Sequence, residues 1–223
     1  MQFSGQTLFF YSILLLLFNF IRNKMHIKLI AEPTEDPDSP EPEPGNHTHL
    51  DHNVTYFVVE FKAGSASISL LDERWIDSFN LINMSELQSI IEKTIGSGPH
   101  LVSLPDGLIT VAIIASDDAH MCQLNGDFRD KPDPTNVLSF PDGTFEEIEG
   151  EFHLGDIFLG YEIIKSEAEK QDIPLRNHLL HLIVHGILHL LGYDHQEEQQ
   201  AQIMEQKEVL LLSLFNIPDP YSL

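Results

Sequence analysis

Cysteine is almost absent from this chain: Cys122 stands alone among 223 residues. An intrachain disulfide is therefore excluded, as is a zinc site built from several thiolates, which leaves His, Asp and Glu as the residues able to hold a metal. Basic residues are also scarce. Twelve Lys and Arg face 35 Asp and Glu, for a formal net charge of -23, the wrong sign for a protein that grips nucleic acid through a broad basic surface. A local gathering of Arg, Lys and metal ion could still hold phosphate.

A long apolar run is missing too. Residues 8–21 form an apolar stretch followed by Arg22 and Lys24, shorter than the ~20 residues a membrane-spanning helix needs. A secretory leader lacks its parts, since residues 1–6 carry no Lys or Arg and Arg22-Asn23-Lys24-Met25 offers no small-residue cleavage site. Two readings of this extension stand: translation that begins at Met25, or an N-terminal membrane anchor. Without a leader, the glycosylation-type triplets at Asn46, Asn53 and Asn83 are read as chance matches.

What the chain does have is enough apolar content, 42%, for one sizeable core. Three segments are expected: an apolar extension at 1–24, a first strand at His26–Ile30 with an acidic, Pro-rich linker to Asn53, and a single domain over 54–223. The linker cannot bury enough apolar surface to offset its ordering entropy. Its His47, His49 and His52 read as solvated residues. Within the domain, Tyr56–Phe61, Leu108–Ile114, Val137–Phe140 and Leu154–Leu159 have the density of strands, whereas Asp72–Ile95 has mostly helical spacing. A short helix is expected at Ala119–Leu124. A further helix should start with Asp172 as N-cap and Pro174 in its first turn and run to Leu191, where Gly192 stops it. A last helix, Glu197–Asn216, supplies packing before Pro218 and Pro220 end it. The fold class is α+β, a small mixed sheet packed with helices.

The informative stretch is His185-Gly186-Ile187-Leu188-His189-Leu190-Leu191-Gly192-Tyr193-Asp194-His195. Residues four apart on a helix share a face, so His185 and His189 can aim two imidazoles at one ion. Gly192 permits a sharp turn that can return His195 as a third ligand. Three imidazoles leave one coordination position open, the arrangement of a catalytic zinc, here one ion per chain. The spacing is zincin-like and matches the metzincin peptidases, except that Gly186 occupies the position of their general-base Glu. His178 and His181 lie near the same face, either as orienting groups or as a fourth ligand. Asp194 is a candidate to accept a proton or to orient a ligand histidine.

The stretch from His185 to His195 resembles the signature of the YbeY family. So do Leu124-Asn125-Gly126-Asp127-Phe128-Arg129, the segment Pro134–Pro141, Leu154-Gly155-Asp156-Ile157 and the terminal Ile217-Pro218-Asp219-Pro220-Tyr221. The resemblance runs over roughly Leu108–Tyr221. It implies a cytoplasmic, zinc-dependent endoribonuclease acting on single-stranded RNA, with ribosomal RNA and the small ribosomal subunit as partners. Its implied tasks are 3′ end maturation of small-subunit rRNA and ribosome quality control, without stable membrane association. Arg129 would stabilise phosphate charge, a task that suits its planar fork of donors. The alternatives are a metallopeptidase-like hydrolase and a ribosome-assembly factor with structural zinc. The oligomeric state is left open.

The charges are segregated along the chain. Arg129, Lys131, Lys165, Lys170 and Arg176 flank the histidine stretch, while Glu32, Glu35, Asp36, Asp38, Glu41 and Glu43 crowd the linker. Deleting Ala31–Asn53 should therefore preserve metal binding and preserve or strengthen RNA affinity. The salt dependence should be shallow, with log K falling by roughly 0.7 per phosphate contact for each decade of salt. Titrating labelled RNA into both proteins across a salt series measures this, and loss of binding with the fold intact would refute it.

Overall fold

The computed structural model describes residues 55–98, 107–143, 147–148 and 150–222. The extension at 1–24, the expected strand at His26–Ile30 and the linker with its three histidines lie outside the described residues. Strands β1 (Thr55–Phe61) and β2 (Gly64–Leu70) are followed by helices α1 (Arg74–Asn80) and α2 (Met84–Gly96). Then come β3 (Leu108–Ser116), α3 (Asp118–Arg129), β4 (Val137–Pro141), β5 (Glu147–Ile148) and β6 (Glu151–Gly160). Helices α4 (Tyr161–Lys170), α5 (Leu175–Leu190) and α6 (Glu198–Ser213) complete the order.

The sheet order is β1-β2-β3-β6-β4, with β5 also paired to β6. The β2–β3 and β3–β6 pairs are parallel, while β1–β2 and β4–β6 are antiparallel, so the sheet is mixed as expected. Strand alternation divides the apolar side chains between two cores. Ile157 and Leu159 enter the main core with α2, α5 and α6, whereas Phe158 joins Met121 and Leu138 in a smaller one beside α3.

Three expectations change in detail. The helical stretch at Asp72–Ile95 is two helices, because Asn83 takes an extended conformation and its side chain accepts the Ser85 N–H at 2.9 Å to cap α2. Asp172 does not cap α5. It is the left-handed residue (φ 53°) that ends α4, with the Ile173 N–H bonded back to the Ala168 carbonyl, and Pro174 opens the next helix. Strand β2 and helix α4 were not expected from the sequence, although Ala66, Ile68 and Leu70 alternate into the core.

Helix α5 positions the site. It packs on α2, α4, α6 and the strands β4 and β6, and Leu179, Leu180, Ile183, Val184, Ile187 and Leu188 on it are fully buried. Each such side chain contributes roughly 1.5–3 kcal/mol. The edge strand β4 is held beside this helix where Gly155, the Phe140 carbonyl and Leu190 meet. Gly155 has φ 141°, and a Cβ there would lie 2.3 Å from the Phe140 oxygen and 2.9 Å from Leu190. Gly155→Ala should accordingly push β4 off β6 and cost at least about 2 kcal/mol. Thermal denaturation tests this, and an unchanged Tm would refute it.

Candidate metal centre

The C-terminal end of α5 is built by a turn that serves two ligand candidates at once. Gly192 adopts φ 90°, its N–H bonds to the His189 carbonyl, and the Tyr193 N–H bonds to the Leu188 carbonyl, each at 3.0 Å. This is a Schellman motif, closed by a residue without a Cβ. The reversed chain then presents the Tyr193 carbonyl 3.0 Å from Nδ1 of His189. Two residues later it delivers His195, whose backbone N–H is held at 2.8 Å by Oδ1 of Asp194.

The ligand atoms of His185, His189 and His195 all lie within 4.8 Å of one another, close enough to share an ion. Ring centroids are 4.6 Å apart for His185 and His189, 5.3 Å for His185 and His195, and 5.0 Å for His189 and His195. His195 is exposed, so the cluster opens to solvent on its side.

The hydrogen bonds around the rings decide which nitrogens are bare. A carbonyl can only accept, so Nδ1 of His189 carries the proton and Nε2 holds a free lone pair. Nδ1 of His185 lies 2.8 Å from Oε1 of Glu208. Burial pushes the Glu208 carboxyl up, but hydrogen bonds from His181 and His185 and their charges overcome it and hold it down at about 2. Ionised Glu208 accepts from Nδ1 of His185, so in the neutral ring, the form that binds a metal, Nε2 is bare as well. These two Nε2 atoms face each other at 3.0 Å. Burial, reinforced by the repulsion that a charged His185 would exert, lowers the His189 imidazole to about 4, so near neutral pH this ring is neutral and its Nε2 can only accept. With both rings neutral, two lone pairs at this distance repel unless a cation lies between them. Tetrahedral zinc with Zn–N of about 2.0–2.1 Å needs nitrogens roughly 3.3 Å apart, and the donor set therefore fits such an ion.

The other sequence candidates are dispersed. His181 does not join the cluster, because its Nε2 is 2.7 Å from Oε2 of Glu208. His178 is buried and pairs through Nε2 with Glu167 at 2.8 Å. Glu167 also accepts from Nδ2 of Asn136, which ties the segment before β4 to the start of α5. Asp194 orients His195 through its backbone and not through its ring. Arg129 is exposed at the end of α3, and its side chain makes no hydrogen bond or ion pair among the described residues. Arg176, by contrast, is engaged by Glu86 and by Asn177, which removes it from the basic group expected to meet phosphate.

Sequence reasoning missed Glu208 by treating the last helix as packing alone. A signal was present, since Met204, Glu208, Leu211 and Leu212 fall on one helical stripe and all four are buried. Two clusters able to hold an ion exist among the described residues, the second being His181, His185 and Glu208. In the second, the two imidazoles already sit at hydrogen-bond distance from the carboxylate.

Fold and cluster together define a class: α+β proteins with three histidines, from one helix and the turn beyond it, arranged to share a metal ion. The chain belongs to the YbeY family, whose model, described as Endoribonuclease YbeY, matches residues 75–216. Endoribonuclease YbeY of Paramagnetospirillum magneticum is 44% identical over 124 residues, covering 54% of this chain and 76% of that protein. That of Paracoccus denitrificans is 38% identical over 162 residues, covering 69% and 88%. A solution structure of TM1509 from Thermotoga maritima aligns at 27% identity and a TM-score of 0.44, over 66% of this chain and 87% of that one. That overlap is too low to bear on the fold.

Gly186 separates the site from the peptidase plan in three dimensions. A Cβ at this position would lie 2.9 Å from Cγ2 of Ile157, a fully buried residue of β6. The helix approaches the sheet where a peptidase would place its Glu. Gly186→Glu should therefore bury an unpaired carboxylate and cost several kcal/mol. At about 2–4 °C per kcal/mol for a chain of this size, a thermal scan would show a large fall in Tm, and a Tm within 2 °C or so of the parent would refute the close packing.

Proposed function

We propose that this protein is a zinc-dependent endoribonuclease specific for single-stranded RNA, acting in the cytoplasm on ribosomal RNA. Its tasks in this reading are 3′ end maturation of small-subunit rRNA and ribosome quality control, with the small subunit as partner. Residues 54–223 form the hydrolase domain, preceded by the extension at 1–24 and the linker segment at 25–53. The observation that carries the metal reading is the pair of bare Nε2 atoms of His185 and His189 facing each other at 3.0 Å, with His195 alongside. Family membership supports the nuclease assignment. Among the described residues no helix is long and apolar enough to cross a membrane.

One bound zinc per chain would supply a Lewis acid that polarises a phosphoryl oxygen and brings the pKa of water to about 7. The chain's own residues do the rest. His185 and His189 are held in one tautomer by Glu208 and the Tyr193 carbonyl, so neither ring needs to reorient when substrate arrives. Arg129, with no intramolecular partner among the described residues, is available to donate two parallel hydrogen bonds to a phosphate. Asp194 fixes the His195 backbone through one oxygen and, as the one acidic residue of the His185–His195 stretch, is the candidate to accept a proton. The peptidase alternative is disfavoured by Gly186, whose place against Ile157 admits no general base. A purely structural zinc is disfavoured by a three-histidine donor set, since structural sites are closed by four protein ligands.

Metal analysis of the purified protein should find about one zinc per chain. Replacing His185, His189 or His195 by Ala should remove most of it, and acidification should release it because imidazole binds metal only when neutral. Unchanged zinc in all three variants would overturn the site. In parallel, Arg129→Ala should keep its zinc and its fold yet cleave a single-stranded RNA on the order of 100-fold more slowly, the scale for losing one charge-stabilising donor. Cleavage at the parent rate would remove Arg129 from the mechanism.

A further inference from the structure

Glu208 is a carboxylate with no exposed side-chain surface, set in the apolar stripe of α6 between Met204 and Leu211. A charge in such a place costs several kcal/mol unless it is paired and fully hydrogen-bonded. Three donors, two from α5 and one from the segment beyond α6, converge on it. Nδ1 of His185 donates at 2.8 Å to Oε1, Nε2 of His181 donates at 2.7 Å to Oε2, and the Tyr221 hydroxyl donates to Oε2. The first is a ligand candidate on α5, and the last comes from the segment beyond α6.

That segment is folded back deliberately by its backbone. Asn216 is left-handed at φ 56°, and the Ile217 N–H returns to the Leu212 carbonyl at 3.2 Å. Ile217 is buried, and the Tyr221 N–H is held by Oδ1 of Asp219 at 2.8 Å. The Tyr221 ring then meets the His181 ring edge to face, centroids 5.8 Å apart.

We propose that Glu208 is a positioning residue for the metal centre and that Tyr221, with His181, locks it in place, so that docking of the terminal segment sets the strength of metal binding. The proposal rests on the three-histidine reading of the site. As an acceptor only, Glu208 keeps the proton of His185 on Nδ1 and so directs Nε2 of the neutral ring, unprotonated, at the ion. His181 and Tyr221 fill the other oxygen, so the carboxylate cannot rotate away from His185. The same contacts occupy Nε2 of His181, which accounts for its absence from the cluster. If Glu208 served packing alone, an apolar residue of similar volume would do as well or better in that stripe.

The test measures zinc affinity of the full chain by competition with a chromophoric chelator, for the parent, Glu208→Gln, Tyr221→Phe and Met204→Ala. Glu208→Gln, which keeps the shape and removes the obligate acceptor, should weaken zinc binding about 10- to 100-fold. Tyr221→Phe should weaken it several-fold with the fold intact, and it decides the matter if Glu208→Gln does not fold. Met204→Ala, which thins the same stripe, should lower Tm while leaving zinc affinity unchanged. If the parent binds one zinc and the folded Glu208 and Tyr221 variants bind it equally well, the proposal falls and the three-histidine site stands. A parent that binds no zinc overturns both. A parent that binds two, with the second lost in Glu208→Gln, makes Glu208 a ligand and overturns the positioning role.

Discussion

The structure depends on the burial of α5. From His178 to Leu191 every position is buried except His181, His185 and His189. The helix is therefore apolar or closely packed on nearly all sides, and the rotation that buries its leucines and isoleucines leaves one narrow strip for polar groups. Three imidazoles stand on that strip at helical spacing. Burial of this kind converts a sequence interval into a rigid distance, because the helix cannot roll without exposing several large side chains. Gly186 belongs to the same constraint. It lets the helix come close enough to Ile157 for the opposite face to sit at the surface beside β4.

Much of the site was legible because its determinants are local. Two histidines four apart, a glycine three positions beyond the second and a third histidine after it describe a helix end and a turn, and both are observed. Strands β3 and β6 were readable from apolar density for the same reason. The less legible parts depend on tertiary context. The break at Asn83 needed a choice between continuing a helix and capping a new one, and a side-chain hydrogen bond to Ser85 decided it. Asp172 looked like a helix start, but it serves as the end of the helix before. Glu208 was hidden by its chemistry. A lone Glu on a Glu-rich helix reads as solvated, and the position becomes informative only when the partners on α5 are known. Arg129 illustrates the opposite limit, since its motif was recognisable while no hydrogen bond or ion pair of its side chain among the described residues ties it to the cluster.

The net charge of -23 becomes less paradoxical once the acidic groups are sorted by what they do. Glu208, Glu167 and Glu86 are engaged by His181 and His185, by His178 and Asn136, and by Arg176. These are internal fasteners held by hydrogen-bond donors, and Glu86 is paired with the permanent charge of Arg176. Burial pushes the Glu167 carboxyl up, yet the His178 and Asn136 hydrogen bonds outweigh that and leave it lower than usual. The seven acidic residues of the linker lie in a different part of the sequence, away from the histidine motif. Overall charge is thus a poor guide to the field near the cluster.

The two candidate ligand rings that face each other are oriented by partners at very different separations along the chain. His189 takes its orientation from Tyr193, four residues away, in a turn that forms with the helix end itself. His185 takes its orientation from Glu208, 23 residues away on another helix. Closing the longer loop costs more entropy and must await the docking of α6 on α5. Loop closure therefore predicts two stages of assembly: a local half that forms once α5 is capped, and a distant half that matures when α6 docks. An ion captured at the first stage would meet one ring already set and one still free to choose its tautomer, and each later contact would tighten the hold.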